Sequence, residues 1–531
     1  MGYRDLHEHV AELERRGLLV RVAREINKDT ELHPLVRWQY RGGLTDEERR
    51  AFFFENVVDA KGKKYDMPVL VAGLAGSRAI YACGLQCDVE EVNAKWERAL
   101  THPIEPVMVD KGPAQDVVIK GEQLQKAGLG KFPIPVSTPG WDNAPYTTCT
   151  HWFTKDAETG VRNVGNYRGM VKAPDRIGMY PMSGQHILLH WEKAKKRGEP
   201  LQAALVVGCP PVVSYAAVSK VPIGVDEVAV AGGLAGEPIR MVKCVTVDME
   251  VPAESEIVIE GLISTDYYEP EGPFGESHGY MHPRMHSPYM DITCITHRKD
   301  AFWTSFISQV TPSESSIIKI LGYEPMFYNH LRHVVSIKSV RRVVMHEPLT
   351  NLRKFIIIQM EEPSKTEVWR ALHAAATFHH GVGKLIVAVD TDIDPEDLDA
   401  VMWAICYRCK PHQDTDIIEG MDKGHGPPFH GASVSEDVAS YHGTGDDSAL
   451  LINAILKEPF PPISLPKKEY MENAKRIWEE LELPPLSPKR PWYGYSLGQW
   501  DEELEEEARL AVEGDHYVTG EKLRIQFRRK V

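Results

Sequence analysis

The chain has 531 residues, of which 43% are hydrophobic and 26% charged, and its formal net charge is −15 at pH 7. This balance is typical of a globular protein with several domains. The negative charge argues against a protein that binds nucleic acid through a basic face.

The lack of a signal peptide and of a membrane-spanning stretch in the sequence predicts a cytoplasmic location. The N-terminal segment is charged from its first residues and lacks the apolar region of a signal peptide. The longest apolar stretch is interrupted by Arg78 before it is long enough to cross a bilayer, so we expect no membrane partner. The eight cysteines are scattered through the chain, as is typical of a reducing compartment.

Residues 1–112 are predicted to form an N-terminal α/β domain. Apolar residues recur at helical spacing from Leu6 to Leu13, Gly17 ends this helix, and "LLVRV" follows as a strand. A second helical pattern, "VEEVNAKWERAL", leads into a segment rich in proline and polar residues.

Residues 113–328 are predicted to form a second domain with a substantial antiparallel or barrel-like sheet. Its strand-like runs are "VRNVGNYRGMV", "IRMVKCVTVDMEVP", "SEIVIEGLIS" and "MDITCITHRKDAFWTSFIS". Between them, "SGQHILLHWEKAKKRG" is a helical pattern. Ser183 is expected to cap that helix, and Gly198 is expected to end it.

Residues 329–488 are predicted to form a C-terminal α/β domain. The run "KLIVAVDTDI" is typical of a buried strand, and Asp394 and Pro395 are expected to cap and begin the helix "EDLDAVMWAI". The pair Cys406 and Cys409 lies in this pattern, which favours a core helix over a redox site. Residues 489–531 form a tail, in which "DEELEEEARLAVEGD" is typical of an exposed acidic helix.

Several common catalytic motifs are missing from the sequence. We find no G-x-G-x-x-G at a strand–helix junction, no Walker A sequence, no H-E-x-x-H and no G-x-S-x-G. Nucleotide-binding, zinc-protease and α/β-hydrolase interpretations therefore lose support.

A set of polar residues interrupts the apolar runs of the second domain. Asn163 and Arg168 lie in a strand-like run, His186 lies in the first turn of a helical pattern, and Glu227 precedes an apolar run. Each of them alone is typical of an ordinary structural residue. An amide oxygen, an imidazole nitrogen and a carboxylate oxygen together suit Mn²⁺ or Mg²⁺, with phosphate or water completing the coordination.

The segment "EPEGPFGESHGY" places two carboxylates on either side of a rigid turn. Pro273 prevents a helix from running through the segment, so a kinked backbone sets the positions of Glu271 and Glu276. An isolated pair at this spacing is most often a solvated pair on a surface turn.

In combination, these segments resemble the UbiD family of decarboxylases, which use prenylated FMN. The resemblance is carried by "NVGNYR", "GQH", "PIGVDE", "EIVIEG" and above all "PEGPFGE-HGY", and "VMWAICYRCKP" and "GKLIVAVDTDID" extend it. It implies a mixed α+β fold in three parts. The central part is a split-barrel-like flavin-binding domain, and the C-terminal α/β domain contributes to oligomerisation and to a wall of the substrate pocket.

The resemblance also implies a cofactor site. The Mn²⁺ that anchors the phosphate of prenylated FMN would be held by Asn163, His186 and Glu227, with a K⁺ beside it on backbone carbonyls around 216–221. The other residues implied in cofactor binding are Arg168, Gln185 and Lys384.

The resemblance assigns catalysis to Arg168, Glu271 and Glu276. Removal of CO₂ from an sp² carbon requires an electron sink that side chains do not supply, and the family's cofactor supplies it through a covalent adduct with the substrate. We expect Glu271 to stay ionised against Arg168 and Glu276 to deliver the proton that replaces CO₂. Arg168 is also expected to steer the substrate carboxylate.

The implied reaction is reversible, non-oxidative decarboxylation of an aromatic, heteroaromatic or α,β-unsaturated carboxylic acid. Two alternatives are a carboxylase that runs the same chemistry in reverse on a phenolic, arene or aryl-CoA substrate, and a non-catalytic protein that binds flavin or metal. Candidate pocket residues lie around 321–330 and 425–443. The expected partners are a flavin prenyltransferase that supplies the cofactor and further copies of the chain in a homodimer or homohexamer.

Overall fold

The computed structural model of the protein describes residues 2–181, 185–219, 221, 224–277, 279–347, 354–379, 381–421, 447–462, 464–486 and 500–526. Its architecture is mixed α/β. The central part of the chain forms a curled nine-stranded sheet, and a five-stranded sheet belongs to each flanking part. The predicted fold class, with a split-barrel-like central sheet and a C-terminal α/β unit, is confirmed.

The N-terminal elements are those that the apolar spacing predicted. Asp5 caps the first helix by accepting a hydrogen bond from the amide of Glu8 at 3.0 Å, and Leu6, Val10 and Leu13 are buried. The elements of this part are α1 (Leu6–Arg15), β1 (Leu19–Asn27), α2 (Leu32–Arg41), β2 (Ala51–Val58), β3 (Lys64–Tyr65), β4 (Val69–Val71), α3 (Arg78–Leu85) and α4 (Val92–Thr101).

The central part contains most of the strands and four α-helices. Its elements are β5 (Val107–Met108), β6 (Val117–Ile119), α5 (Glu122–Lys126), β7 (Tyr146–Thr147), β8 (Thr150–Lys155), β9 (Arg162–Gly165), β10 (Gly169–Ala173), β11 (Arg176–Gly178), α6 (His186–Arg197), β12 (Leu201–Val207), α7 (Pro211–Val218), α8 (Glu227–Ala235), β13 (Arg240–Lys243), β14 (Glu250–Pro252), β15 (Ile257–Ile263), β16 (Glu269–Glu271), β17 (Phe274–Gly275), β18 (Met281–His282), β19 (Met285–Ser287), β20 (Tyr289–His297) and β21 (Trp303–Ser305).

The nine-stranded sheet has the order β7-β10-β11-β20-β15-β12-β8-β9, with β6 beside β20. The predicted run "VRNVGNYRGMV" divides into β9 and β10, and the residues between the two strands include Arg168. The run that ends in "AFWTSFIS" also divides. Strand β20 stays in the central sheet, whereas β21 pairs in parallel with β4 and completes the first sheet, β1-β2-β4-β21.

The C-terminal part is the predicted α/β unit, followed by exposed helices. Its elements are α9 (Glu314–Asn329), β22 (Val340–Met345), β23 (Phe355–Met360), α10 (Lys365–Phe378), β24 (Leu385–Asp390), α11 (Leu398–Arg408), α12 (Pro411–Asp414), β25 (Thr415–Met421), β26 (Asp447–Asn453), α13 (Lys468–Glu480), α14 (Glu502–Glu513) and α15 (His516–Gln526). Short 3₁₀ segments occupy Val89–Glu91, Pro113–Gln115 and Gly128–Lys131, and a π-helical turn occupies His330–Val334.

The C-terminal sheet has the order β22-β23-β24-β26-β25 and is covered on both faces. Successive residues of β23 point to opposite faces, so Phe355 and Ile357 pack in one apolar cluster and Ile356 and Ile358 in another. Burial on both faces explains the unbroken apolar run of this strand.

Two predicted helix starts need correction. Helix α11 begins at Leu398 and is capped by Asp397, whose carboxylate accepts from the amides of Asp399 and Ala400. Asp394 instead closes a local turn by accepting from the amide of Glu396 at 3.0 Å, which keeps Pro395 out of the helix. Helix α6 begins at His186 with Gln185 at its N-cap.

The predicted cap Ser183 lies outside the described residues. Gly198 ends α6 in the left-handed conformation, as predicted. Helix α11 carries Cys406, which is exposed, and ends at Arg408, so the predicted helix is confirmed but it does not include Cys409 and does not bury Cys406 in a core.

One apolar cluster runs from Leu6 to Leu321 and joins the first two predicted domains into a common core. The predicted boundaries at residues 112, 328 and 488 therefore stay predictions. Within the described ranges, no helix is both long enough and apolar enough to cross a membrane. The acidic segment of the tail forms the helix α14, whose residues are not buried.

Candidate active site

Short antiparallel ladders hold the acid-bearing turn at both ends. Glu271 is the last residue of β16, which pairs with β19, and Glu276 directly follows β17, which pairs with β18. The segment around Pro273 is therefore fixed by backbone pairing on each side. The two ladders thus set the positions of the two carboxylates relative to each other.

Side chains from the segment before β7 also fix the turn. The carbonyl of Gly272 accepts a hydrogen bond from Asn143 Nδ2 at 2.9 Å, and the amide of Gly275 donates to Asp142 Oδ1 at 3.2 Å. Burial raises the pKa of Asp142 to about 6. A Cβ atom at position 275 would lie 2.8 Å from Cγ of Gln309, so this close approach requires glycine.

Arg168, between β9 and β10, joins the two glutamates. Its Nε and Nη2 donate to the two carboxylate oxygens of Glu271 at 2.9 and 2.5 Å, which is a bidentate pair. Its Nη1 donates to one oxygen of Glu276. The predicted Glu–Arg–Glu set is thus a single contact cluster.

The two glutamates differ in their access to solvent. The side chains of Arg168 and Glu271 are 6% and 1% exposed, whereas that of Glu276 is 19% exposed and lines a cavity. Burial alone would lower the pKa of Arg168, but the charges of both glutamates outweigh it and raise that pKa. The guanidinium therefore stays charged.

Two aromatic rings cover Arg168. Its guanidinium carbon lies 4.0 Å from the ring centre of Tyr180 and 5.0 Å from that of Phe274. The hydroxyl of Tyr180 lies 2.8 Å from Nε2 of the buried His282, whose Nδ1 lies 2.9 Å from the carbonyl of Pro283. Because that carbonyl can only accept, Nδ1 carries the proton in neutral imidazole, and Tyr180 donates to Nε2.

The predicted metal ligands line the same cavity as Glu276. Asn163 lies on β9, His186 is the first residue of α6, and Glu227 is the first residue of α8. Asn163 and Glu227 are 3% and 5% exposed, and His186 is half-buried. Both helices begin at the cavity, where their N-terminal amides favour an anion such as phosphate.

These three residues fit a divalent cation. The Nδ2 atom of Asn163 is buried without a hydrogen-bond partner, and exchanging the amide oxygen and nitrogen presents an oxygen there instead. Burial raises the pKa of Glu227 to about 8, although its carboxylate accepts from the amide of Val164 at 3.0 Å. A bound cation would supply the opposite charge that this buried carboxylate lacks. No cluster of three or more His, Cys, Asp or Glu side chains suited to a metal occurs in the described part of the chain. The candidate set differs from such a cluster because its third member, Asn163, is an amide.

The cavity has a volume of about 460 Å³ and contains most of the predicted site residues. Glu271 is not among the described lining residues, but it accepts hydrogen bonds from Arg168, which lines the cavity. The lining residues from the prediction are Asn163, Arg168, Gln185, His186, Glu227 and Glu276, and those from the expected K⁺ segment are Ala217, Val218, Ser219 and Val221.

Lys384 is not among the described lining residues. Its ammonium lies 2.6 Å from a carboxylate oxygen of Asp447, which connects β24 to β26. Its phosphate contact stays a prediction without support from this position. Tyr323 supports the expected pocket segment 321–330, whereas the other expected segment, 425–443, lies outside the described residues.

Several lining residues escaped the sequence analysis. Helix α9 contributes Ser315 and Lys319, and the end of α10 contributes Phe378 and His379. Polar residues four positions apart in an otherwise apolar helix, as in "SESSIIKILGY", were the available signal for α9. The pair Tyr180 and His282 had no comparable signal, because 102 positions separate them.

Sequence profiles of one protein family match consecutive parts of the chain. They are described as the N-terminal, Rift-related and C-terminal domains of 3-octaprenyl-4-hydroxybenzoate carboxy-lyase, UbiD, and they match residues 10–100, 106–310 and 318–428. The chain belongs to the UbiD family. The family that the sequence motifs indicated is thereby confirmed.

Solved structures of UbiD-class enzymes share the fold. An evolved dimeric form of HmfF from Pelotomaculum thermopropionicum, in complex with prFMN, is 30% identical, covers 89% of this chain and 100% of its own, and has a TM-score of 0.75. The closed form of vanillic acid decarboxylase from Sedimentibacter hydroxybenzoicus is 25% identical, covers 91% and 99%, and has a TM-score of 0.77.

A relative with a named reaction is the anhydromevalonate phosphate decarboxylase of Methanothermobacter thermautotrophicus. It is 31% identical over 366 residues, which are 67% of this chain and 81% of the relative. Together with the family match, this similarity makes the chain a UbiD-family decarboxylase. The roles of its individual residues stay predictions.

Proposed function

We propose that this protein catalyses reversible, non-oxidative decarboxylation of an aromatic, heteroaromatic or α,β-unsaturated carboxylic acid with prenylated FMN, and that Glu276 is the proton donor. The observation that carries the proposal is the asymmetry around Arg168. Glu271 is buried and bound in a bidentate pair, whereas Glu276 faces a cavity that also contains the candidate metal ligands. The similar structures with prFMN or FMN and the relatives named as decarboxylases support the reaction class.

The cofactor site in this proposal consists of Asn163, His186 and Glu227 around Mn²⁺ or Mg²⁺, with a K⁺ on the carbonyls around 216–221. Prenylated FMN, when bound, supplies the electron sink that stabilises charge on the carbon losing CO₂. Gln185 at the N-cap of α6 lies beside the flavin phosphate in this arrangement. A flavin prenyltransferase would supply the cofactor.

The protein's own residues then handle charge and proton transfer. Glu271 neutralises Arg168 permanently through its two hydrogen bonds. Arg168 holds the carboxyl of Glu276 at the edge of the cavity. Glu276 gives its proton to the carbon that has lost CO₂, becomes a carboxylate, and regains a proton from water because 19% of its side chain is exposed.

The expected steering of the substrate carboxylate by Arg168 stays a prediction, beside the contacts that Arg168 makes to the two glutamates. Its Nε, Nη1 and Nη2 already donate to the two glutamates. Two of the five N–H groups of the guanidinium are left for a substrate carboxylate, which would share Nη1 and Nη2 with the glutamates. We also propose Arg168 as the partner that orients Glu276.

The test compares holoenzyme with the Glu276→Gln variant, using protein kept from oxygen and light and supplied with a panel of carboxylic acids. The wild type should release CO₂ from at least one acid and incorporate deuterium at the vacated carbon in D₂O. Glu276→Gln should keep the flavin and lose both signals. Glu269→Gln is the matched control, because Glu269 starts β16 and pairs with Lys172 and Arg176. Full turnover by Glu276→Gln would contradict the assignment.

The reverse reaction is tested in the same samples. Exchange of labelled bicarbonate into the substrate carboxyl group measures carboxylation, and a protein that binds flavin or metal but shows neither CO₂ release nor exchange would favour the non-catalytic alternative. We also propose a cytoplasmic homodimer or homohexamer. Light scattering after size exclusion distinguishes these two assemblies from a monomer.

A further inference from the structure

A short loop before β7 is closed by its own hydrogen bonds and lies against the acid-bearing turn. The amide of Thr138 donates to Oδ2 of Asp142 at 2.6 Å, and the amide of Asp142 donates to the carbonyl of Thr138 at 3.0 Å. Local bonds of this kind between a side chain and the backbone hold a loop in one conformation. The loop therefore fixes the position of the Asp142 carboxylate.

The other oxygen of Asp142 holds the residue that precedes Glu276. Oδ1 accepts from the amide of Gly275 at 3.2 Å, and the amide of Glu276 donates to the carbonyl of Tyr280 at 3.0 Å. Two consecutive amides of the turn are thus bound to different parts of the chain. Because glycine has the widest choice of backbone angles, a partner for its amide restricts the start of Glu276 strongly.

Helix α2 supports this loop from behind. Nη2 of Arg37 donates to the carbonyl of Ser137 at 2.9 Å and to Oε1 of Gln309 at 2.5 Å. A Cβ atom at position 275 would lie 2.7 Å from Oγ1 of Thr138 and 2.8 Å from Cγ of Gln309. The loop and Gln309 therefore enclose the turn at this glycine, and Arg37 joins them.

The Asp142 side chain accepts best as a carboxylate. Burial raises its pKa to about 6, although its two amide donors and the charges of Arg37 and Arg168 lower it. At pH 7 the ionised form therefore prevails, and both of its oxygens accept hydrogen bonds. An asparagine at this position would keep one acceptor and turn an NH₂ group toward the second amide.

Proton delivery depends on where the donor lies. A general acid acts within hydrogen-bond reach of the atom that takes its proton, and a displacement of about 1 Å can lower a rate by about 10²-fold. Arg168 holds the carboxyl end of Glu276, and Asp142 holds the backbone before it through Gly275. The two contacts together set the position of the proposed donor.

We propose that Asp142 is a positioning residue for the reaction, which acts through the amide of Gly275 and keeps the carboxyl of Glu276 where the proton is delivered. This inference rests on the proposed function, in which Glu276 is the proton donor. It deepens that function because it makes the rate depend on a residue outside the described cavity lining.

The test compares wild-type holoenzyme with Asp142→Ala and Asp142→Asn on the acid that the wild type decarboxylates best. The measurements are kcat per bound flavin, KM, and hydrogen exchange of a peptide that covers residues 269–277. Glu260→Ala is the matched control. Glu260 also anchors a loop through two backbone amides, those of Val245 at 2.9 Å and Thr246 at 2.6 Å, and it lies outside the described lining.

We expect Asp142→Ala to lower kcat per bound flavin by about tenfold or more and to leave KM within about twofold, because the donor moves while the binding groups stay. Asp142→Asn keeps one acceptor and should lose less. The peptide 269–277 should exchange faster in Asp142→Ala. Glu260→Ala should lower thermal stability and keep both kcat per bound flavin and exchange in that peptide.

The positioning role is overturned if Asp142→Ala keeps kcat per bound flavin, or if Glu260→Ala loses as much of it. Faster exchange of the peptide without loss of kcat would make Asp142 a structural residue only, which also overturns the role. Where Asp142→Ala yields no folded protein, Asp142→Asn decides, and an unchanged kcat overturns the role.

Failure of the proposed function has a different signature. In that case the wild type releases no CO₂ from any acid, or Glu276→Gln keeps full turnover. Hydrogen exchange does not depend on turnover, so it still reports whether Asp142 holds the turn.

Discussion

Two buried arginines in this molecule, Arg168 in the central part and Arg408 in the C-terminal part, are each held between two carboxylates. The side chain of Arg408 is 1% exposed, and its Nη1 and Nη2 lie 2.7 Å from Asp390 and 2.6 Å from Asp392. In both clusters two nitrogens of the guanidinium donate to the two oxygens of one carboxylate, and the guanidinium also donates to a second carboxylate. The chemical groups are nearly the same.

The surroundings of the two clusters differ. The Arg408 cluster connects the end of α11 to β24, and Asp390 also accepts from the amide of Leu456 at 2.6 Å. Arg168 and Glu276 line the cavity, together with an amide, an imidazole and a third carboxylate. An Arg–carboxylate cluster is therefore evidence for an active site only when one acid reaches a cavity in which other ligand-binding groups converge.

The strongest way to break this comparison is to neutralise one acid in each cluster. Glu276→Gln should lower the rate of CO₂ release by about 10²–10⁴-fold, because a positioned general acid contributes that much. Asp392→Asn should leave the rate within about twofold and lower the free energy of unfolding by about 1 kcal/mol. Rate assays and thermal unfolding of both variants measure these effects. Similar rates for the two variants would contradict the distinction.

Replacing either arginine should lower the stability of the protein, but only the replacement of Arg168 should also abolish turnover. Arg168→Met and Arg408→Met should each cost about 3–5 kcal/mol of stability, because buried carboxylates lose their partner. Urea unfolding measures this loss. Turnover per folded molecule should be lost with Arg168→Met and kept with Arg408→Met. Full turnover by the Arg168→Met variant would contradict a role for Arg168 in the reaction.

The candidate metal ligands sharpen the comparison further. Glu227→Gln should weaken binding of Mn²⁺ and retention of flavin by about 10–100-fold or more, because loss of an outer-shell partner alone has that effect on metal affinity. Glu250→Gln is a nearby control, since Glu250 pairs with Lys155 and Arg162. Metal titration of both variants decides the point. Equal affinities of the two variants for Mn²⁺ would contradict the assignment of Glu227 as a metal ligand.

The last prediction concerns the C-terminal part alone. Glu324 on α9 accepts from the amide of Met345 on β22, and burial raises its pKa to about 7. The folded state holds this proton more tightly, so the stabilisation is complete below about pH 4.5 and is lost as pH rises through about 7. Relative to Glu324→Gln, the wild type should lose about 3 kcal/mol over that range. Parallel curves of unfolding free energy against pH for the wild type and Glu324→Gln would contradict the raised pKa of Glu324.

Local signals in the sequence predicted much of the fold. Apolar spacing located α1, and the unbroken apolar run of "KLIVAVDTDI" located β24, because each pattern depends only on neighbours in the chain. The start of α11 was wrong because Asp394 and Asp397 compete for the cap, and turn formation at Asp394 prevails. The pairing of β21 with β4 depends on partners more than 230 positions apart, for which local patterns carry no signal.

The candidate site divides in the same way. Family-like motifs indicated Arg168, Glu271 and Glu276, and these residues form one cluster. Lys319 and Tyr180 had no motif of their own, and their place in the lining follows from how distant elements pack. The motif around Lys384 was a loose match, and that residue pairs with Asp447.

The residues proposed for proton transfer and the cavity-lining residues Ser315, Lys319 and Tyr323 of α9 belong to separate stretches of chain. Strand ends and a glycine-proline turn hold the acids, whereas these three residues project from the single helix α9. Because Ser315 and Tyr323 are buried and Lys319 is only half-buried, position 319 is where a substitution disturbs packing least. Libraries that vary these helix positions are a natural starting point for redesign of this enzyme and for tracing how its relatives diverged.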